Sequence, residues 1–252
     1  MAMETHTTRR QADPRSGDPI FLLKRDWLHA RSDRSPVRHG LQLREWRGAQ
    51  ALCWGGLAHL TGEAPADLSE LARELLGCGC RQLLATRIPE QALESAGWIP
   101  APGKAWRAFF RPANSTQLKI PASTDDKLLT AGSVRTSFEA PEAALLHYGQ
   151  ELAELMTAVG VWHSLWTPDS CRAWMLEAFS GDHGCLLEAL RVQPADRHKG
   201  CAGRLVTAAA PRQRDCWLLA QESTTTREFW NRHGFLPAGV YGLFQPTFSG
   251  LD

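Results

Sequence analysis

Between the apolar run Cys185–Val192 and a helix-compatible stretch, residues 197 to 203 read Arg-His-Lys-Gly-Cys-Ala-Gly, bringing together two cations, a histidine and two glycines. The first turn of a helix leaves its amide N–H groups unpaired and carries a partial positive charge. A glycine-rich, cation-bearing bend at such a junction lets backbone donors converge on an anion. Two common anion loops do not fit. A Walker-type loop needs a metal-binding hydroxyl after Gly-Lys, and His198-Lys199-Gly200-Cys201 supplies none. A dinucleotide fingerprint needs its first glycine directly after the strand, whereas residues 192 to 196 intervene and Gly200 and Gly203 are three apart.

The run Leu190 to Val206 (LRVQPADRHKGCAGRLV) instead resembles the coenzyme A signature of the GNAT superfamily of N-acetyltransferases. There, a strand ending in a Val-x-Pro corner leads into Arg/Gln-x-x-Gly-x-Gly/Ala at a helix start. Arg197, Gly200 and Ala202 match those positions, with Gly203 next. Downstream come a strand, a helix and Phe229-Trp-Asn-Arg-His-Gly-Phe235, similar to the family's Phe-Tyr-x-x-x-Gly-Phe corner. The resemblance covers residues 185 to 252. It implies an α/β (α+β) fold with a GNAT-like mixed central sheet flanked by helices, and acetyl-CoA or another acyl-CoA as co-substrate without a metal. It also implies a coenzyme site of Arg197, His198, Lys199, Gly200, Cys201, Ala202 and Gly203, with Asn231 beside it. The backbone of Leu190, Arg191 and Val192 would face the thioester carbonyl. Successive N–H groups from Lys199 to Gly203 suit a diphosphate, Gly200 permits close backbone approach, and Arg197 adds a charge-assisted bond.

Acyl transfer to an amine needs a deprotonated nucleophile, although a free alkylammonium has a pKa near ~10, so a base or a water chain is required. It also needs donors for the oxyanion and a proton for the departing thiolate. Glu188 is the first candidate base, on a strand where positions 186, 188, 190 and 192 share a face. An exposed strand carboxylate, or a partner to Arg191, is the competing reading. Asp182 and His183, in the turn just upstream, are further candidates. Where many family members carry a tyrosine acid this chain has Trp230, whose indole N–H does not serve. Tyr241 is the substitute; Tyr148 reads as core or surface. Trp162-His163-Ser164-Leu165-Trp166 occupies the region where relatives bind acceptors, and core packing competes with an acceptor pocket.

The elements that must hold these residues divide the chain of 252 residues into two halves. A polar tail is expected over 1–19, a first lobe over 20–112, a linker over 113–126 and the acyltransferase domain over 127–252. The first half reads as a hairpin at 41–60, a helix closed by Gly77, a strand, a helix closed by Gly97 and a strand through Phe110. It lacks the coenzyme signature and is assigned no cofactor. The second half reads as a strand over 127–134, a long helix over 140–160, a helix over 168–179, then strand, helix, strand, helix, strand. Both halves end alike, Gly97-Trp-Ile-Pro100 against Gly234-Phe-Leu-Pro237, which leaves open an internal duplication with a degenerate first lobe. The pattern shows no strands between the early helices of the second half and the signature strand, where the family has two or three.

A net charge of +1 argues against a dedicated nucleic-acid binder. The seven cysteines lack zinc spacing and read as reduced thiols of a cytoplasmic protein; no apolar run reaches membrane-helix length. The expected activity is transfer of an acetyl or other acyl group to a small-molecule or peptide amine, with a homodimer compatible. The rivals are an aminoacyl-tRNA-dependent transferase of the same fold and a catalytically inactive binding module.

Overall fold

The structure, a computed structural model, describes residues 18–32, 42–46, 48–54, 56–62, 68–103, 105–115, 133–148, 160–181, 184–210 and 213–247. The expected tail through residue 17 and most of the expected linker lie outside them, as do the later turns of the expected long helix.

Helix α1 (Pro19–Ser32) precedes a meander of β1 (Gln42–Trp46), β2 (Ala49–Trp54) and β3 (Leu57–Gly62). Then follow α2 (Ser69–Gly77), β4 (Gln82–Ala85), α3 (Glu90–Ser95), β5 (Trp98–Pro100) and β6 (Trp106–Arg111). The second half runs β7 (Ser133–Ser137), α4 (Glu142–Tyr148), β8 (Val161–Trp166), β9 (Cys171–Gly181), β10 (Gly184–Val192), α5 (Cys201–Ala209), β11 (Cys216–Gln221), α6 (Thr224–Arg232) and β12 (Leu236–Pro246). The two halves repeat one pattern. An antiparallel pair, β2–β3 or β9–β10, is followed by a parallel partner reached through a helix, β4 or β11. A second helix then ends at a left-handed glycine, Gly97 (φ 84°) or Gly234 (φ 80°).

Among the described residues twelve strands form one mixed sheet in the order β1-β2-β3-β4-β12-β6-β11-β10-β9-β8-β7, with β5 paired to β12. Each half donates its last strand to the other. β6 lies between β11 and β12, with Leu218 opposite Phe109 and Leu236 opposite Phe110. β12 pairs with β6 as far as Tyr241, and from Gly242 onward with β4 and β5. Tyr241 is thus the residue at which the chain crosses between halves.

Of residues 168–179, expected as a helix, those from Cys171 onward lie in β9 (Cys171–Gly181), and Trp162–Trp166 lies in β8; these supply the strands that the sequence pattern did not reveal. Ala173 and Met175 pack with α5, whereas Trp174, Leu176 and Ala178 pack with α1 and α4. A strand covered on both faces has no polar side, so its apolar run carries no two-residue period to distinguish it from a helix. Among the described residues no helix is long and apolar enough to cross a membrane.

This exchange makes a fragment starting near Asp125 incomplete. It would lack β6, including fully buried Phe109, leaving the edges of β11 and β12 unpaired, and α1 would no longer cover β9–β11. We expect it to be insoluble or molten, with near-ultraviolet circular dichroism lost while far-ultraviolet signal persists. A sharply melting fragment that binds acetyl-coenzyme A would refute this.

Candidate active site

β10 and β11 run parallel and pair only from Cys185↔Cys216 to Leu187↔Leu218. Beyond that point β10 stays with β9 to Val192↔Ala173 while β11 stays with β6 to Gln221↔Trp106, so the strands part into a V. A bulge sits on the β10 arm. Glu188 faces Leu176 and Arg191 faces Trp174, which sets Ala189 and Leu190 together against Met175, with Ala189 at φ 57°. The bulge overturns the expected single face of positions 186, 188, 190 and 192. Leu186 packs toward α1, whereas Leu190 and Val192 pack with α5. In the first half the corresponding strands stay joined from Leu57↔Gln82 to Leu60↔Ala85, and Thr86 N–H adds a bond to Leu60 C=O at 3.3 Å.

Past Val192, one 3-10 turn (Pro194–Asp196) turns the chain toward α5. Buried Asp196 anchors it, pairing with Arg172 and Lys199 at 3.3 Å each. Arg197, His198, Lys199 and Gly200 are exposed at the head of α5. His198 and Gly200 have φ of 65° and 77°, and this left-handed approach at Gly200 sets the direction from which the helix begins. The Arg204 N–H bonds Gly200 C=O at 3.1 Å, so the amides of Cys201, Ala202 and Gly203 precede the first intrahelical bond. No acid lies in that turn. Burial pushes the Cys201 thiol up, and the side chain packs in the core with Leu205 and Val206. Gly203 lets α5 approach α6: a Cβ there would stand 3.1 Å from the His233 ring. Asn231, on α6, is exposed.

Glu188, the first β10 residue past the last β11 pair, forms an ion pair with Lys24 of α1 at 3.3 Å, the side chains 22% and 8% exposed respectively. Arg191, its expected alternative partner, is exposed. Tyr241 is buried, and its hydroxyl donates to Asp18 at 2.6 Å. Burial, reinforced by the Asp18 carboxylate, raises the phenol well above its ordinary range, the opposite of what a proton donor to a thiolate requires. The structure gives Tyr241, the expected acid, a place in the junction between halves with its hydroxyl committed to Asp18. Trp230 packs among Phe109, Phe229 and Phe235. Trp162 and Trp174 are core residues; His163 has Glu177 at 3.5 Å and Thr136 at 3.5 Å. Asp182 and His183 lie outside the described residues.

Sequence reasoning missed α1 and the polar group at its head. Asp18 caps the helix through the Ile20 and Phe21 amides and receives His59 Nε2 at 3.0 Å as well as Tyr241. The signal was present, since Asp-Pro before an apolar run is an N-cap followed by proline at the first helical position. His59 is fully buried, and burial holds its pKa below the usual range, outweighing Asp18. Its Nδ1 has no partner, which fits a neutral ring with the proton on Nε2. Burial raises the Asp18 carboxyl, but the bonds from His59, Tyr241 and Phe21 outweigh it and lower it overall.

These groups make the fold sensitive to acid. His59 and His233, the latter pushed down to about 4 chiefly by burial, bind protons more readily in the unfolded chain. Their contribution is full above about pH 6.5 and is lost as the pH falls toward the folded values; Asp18 adds to the loss below about pH 4. The thermal midpoint should therefore fall steadily from about pH 7 to pH 4. His233→Gln should flatten part of that slope, and a level profile in the wild type would contradict the assignment.

No family model matches the sequence, and no curated protein matches it. Solved structures are similar in fold. A GCN5-related N-acetyltransferase from Kribbella flavida superposes with a TM-score of 0.61 at 12% identity, over 94% of this chain and 98% of that one. A tandem GNAT protein from the clavulanic acid biosynthesis pathway gives 0.59 at 11% identity, over 90% and 89%. A GCN5-related N-acetyltransferase-like protein from Streptococcus suis gives 0.50 at 12%, over 90% and 98%. The chain has the GNAT fold along most of its length.

Proposed function

We propose that this chain is an acyl-coenzyme A-dependent N-acyltransferase that transfers an acetyl or other acyl group to a primary amine in the cytoplasm. Its first lobe, 20–112, is a degenerate copy of the second, 127–252. The observation that carries this reading is the parting of β10 from β11 at Leu187, bulged at Ala189–Leu190 and followed by a left-handed Gly200 at the head of α5. The loop residues fit a diphosphate. Three leading amides, an exposed Arg197 and an acid-free first turn favour it, while Asp196 is neutralised from below by Arg172 and Lys199.

The bulge turns the backbone of Ala189 and Leu190 out of the β9 ladder at the mouth of the V, where a thioester carbonyl could receive an N–H donor. Glu188, beside it, accepts the proton of the attacking amine. With Tyr241 committed to Asp18 and Trp230 unable to donate, the same carboxyl is the group that can return a proton to the leaving thiolate.

Calorimetry with acetyl-coenzyme A, followed by an amine panel read by thiol release, tests the reading. Binding with turnover supports it. Binding without release on any amine would identify a coenzyme-binding module, and binding of charged tRNA without the coenzyme would favour the tRNA-dependent transferase.

A further inference from the structure

Lysine is scarce in this protein, five of 28 basic residues. One of the five lies on the inward stripe of α1. Ile20, Phe21, Leu23 and Trp27 bury that stripe, and Lys24 sits among them, one turn from Ile20 and from Trp27. Arginine, used elsewhere for most cationic positions, makes the better fixed ion pair because its guanidinium is a planar fork that keeps its charge. An amine is different in kind: it can lose a proton and become a nucleophile.

The position matters as much as the residue. Lys24 Nζ is 3.3 Å from Glu188 Oε1, and Glu188 is where β10 first parts from β11. α1 packs across β9, β10 and β11, so its lysine reaches the carboxylate from the sheet face opposite α5. In the function proposed above, the group beside the base at the mouth of the V is the acceptor amine. We infer that Lys24 is a self-acylation site: the chain transfers an acyl group from acyl-coenzyme A to its own Lys24 Nζ. This rests on the acyltransferase reading and extends it to a first, internal acceptor.

The step balances without a further reactant. The Lys24 ammonium gives one proton to solvent and, as it attacks, another to Glu188. The new C–N amide bond forms as the C–S bond breaks, and the thiolate takes the proton from Glu188 to leave as free thiol. Acylation removes the positive charge of Lys24, ending the ion pair and releasing Glu188 toward an external amine.

The test uses the full chain with acetyl-coenzyme A, intact and peptide mass spectrometry over time, and calorimetry on the same preparation. The expected result is one acetyl group on Lys24, accumulating at a rate independent of protein concentration. Gly200→Asp should abolish it, and Glu188→Gln should slow it by roughly 10². Lys104, Lys119, Lys127 and Lys199 provide the reference for uncatalysed acylation. Coenzyme binding with Lys24 unmodified would overturn this inference and leave the acyltransferase reading standing; absence of binding would overturn both. Label spread over all five lysines regardless of Gly200, or a rate rising with protein concentration, would equally overturn acylation within the chain.

Discussion

Gly200→Asp should abolish measurable acetyl-coenzyme A binding, a loss of at least roughly 10³, or about 4 kcal/mol, while the protein still folds. The two halves of that expectation have separate causes. Gly200 sits at φ 77°, a region that asparagine and aspartate enter more readily than other side chains, and it occupies the cap position of α5, where aspartate is among the preferred residues. The backbone cost is therefore on the order of 1 kcal/mol. Binding suffers far more. The new carboxylate would accept the α5 amides that a diphosphate needs and place a negative charge beside it. Gly200→Asn separates the contributions, since it adds nearly the same volume without the charge and should lose less affinity. Raising the ionic strength should narrow the gap between the two variants. Unchanged affinity in Gly200→Asp, with an unaltered melting curve, would remove the loop assignment altogether.

What could be read from the sequence follows from how locally each feature is encoded. The loop from Arg197 to Gly203 and the Gly234-Phe235 corner are set by adjacent residues, so their residue types alone located them. The bulge at Ala189 is not encoded that way: nothing in Leu-Glu-Ala-Leu marks a break in alternation, which arises only when β10 is laid against β9. β9 was misread because burial on both faces erased its period. Strand exchange lay further out of reach, since β6 and β12 look alike whether each stays in its own half or crosses. The polar cluster of Asp18, His59 and Tyr241 draws on three positions spread over most of the chain, and only the fold brings His59 and Tyr241 within 3.0 Å of Asp18. Lys24 could have been marked as the charge on an apolar stripe; its carboxylate partner could not.

Glu188→Gln tests the mechanism most directly. It keeps the shape and hydrogen-bonding capacity but removes proton acceptance, so kcat for an external amine should fall by roughly 10² to 10⁴ while coenzyme affinity hardly changes. Lys24 complicates the outcome in a measurable way. The substitution leaves a largely buried ammonium facing a neutral amide, which costs stability on the order of 1–3 kcal/mol, and melting curves must accompany the kinetics. The pH profile then separates a base from a structural partner. As pH rises toward the amine's own pKa near ~10, more acceptor arrives deprotonated and the enzyme need supply only proximity and oxyanion stabilisation. The thiolate, with a free pKa near ~8.5, needs no acid in that range either. The deficit of the variant should accordingly shrink with rising pH. A residue that merely holds α1 against the sheet would give a deficit that does not narrow, because its loss misplaces the site at every pH. Full activity of Glu188→Gln at neutral pH would place the base elsewhere, with Asp182 and His183 the next positions to replace.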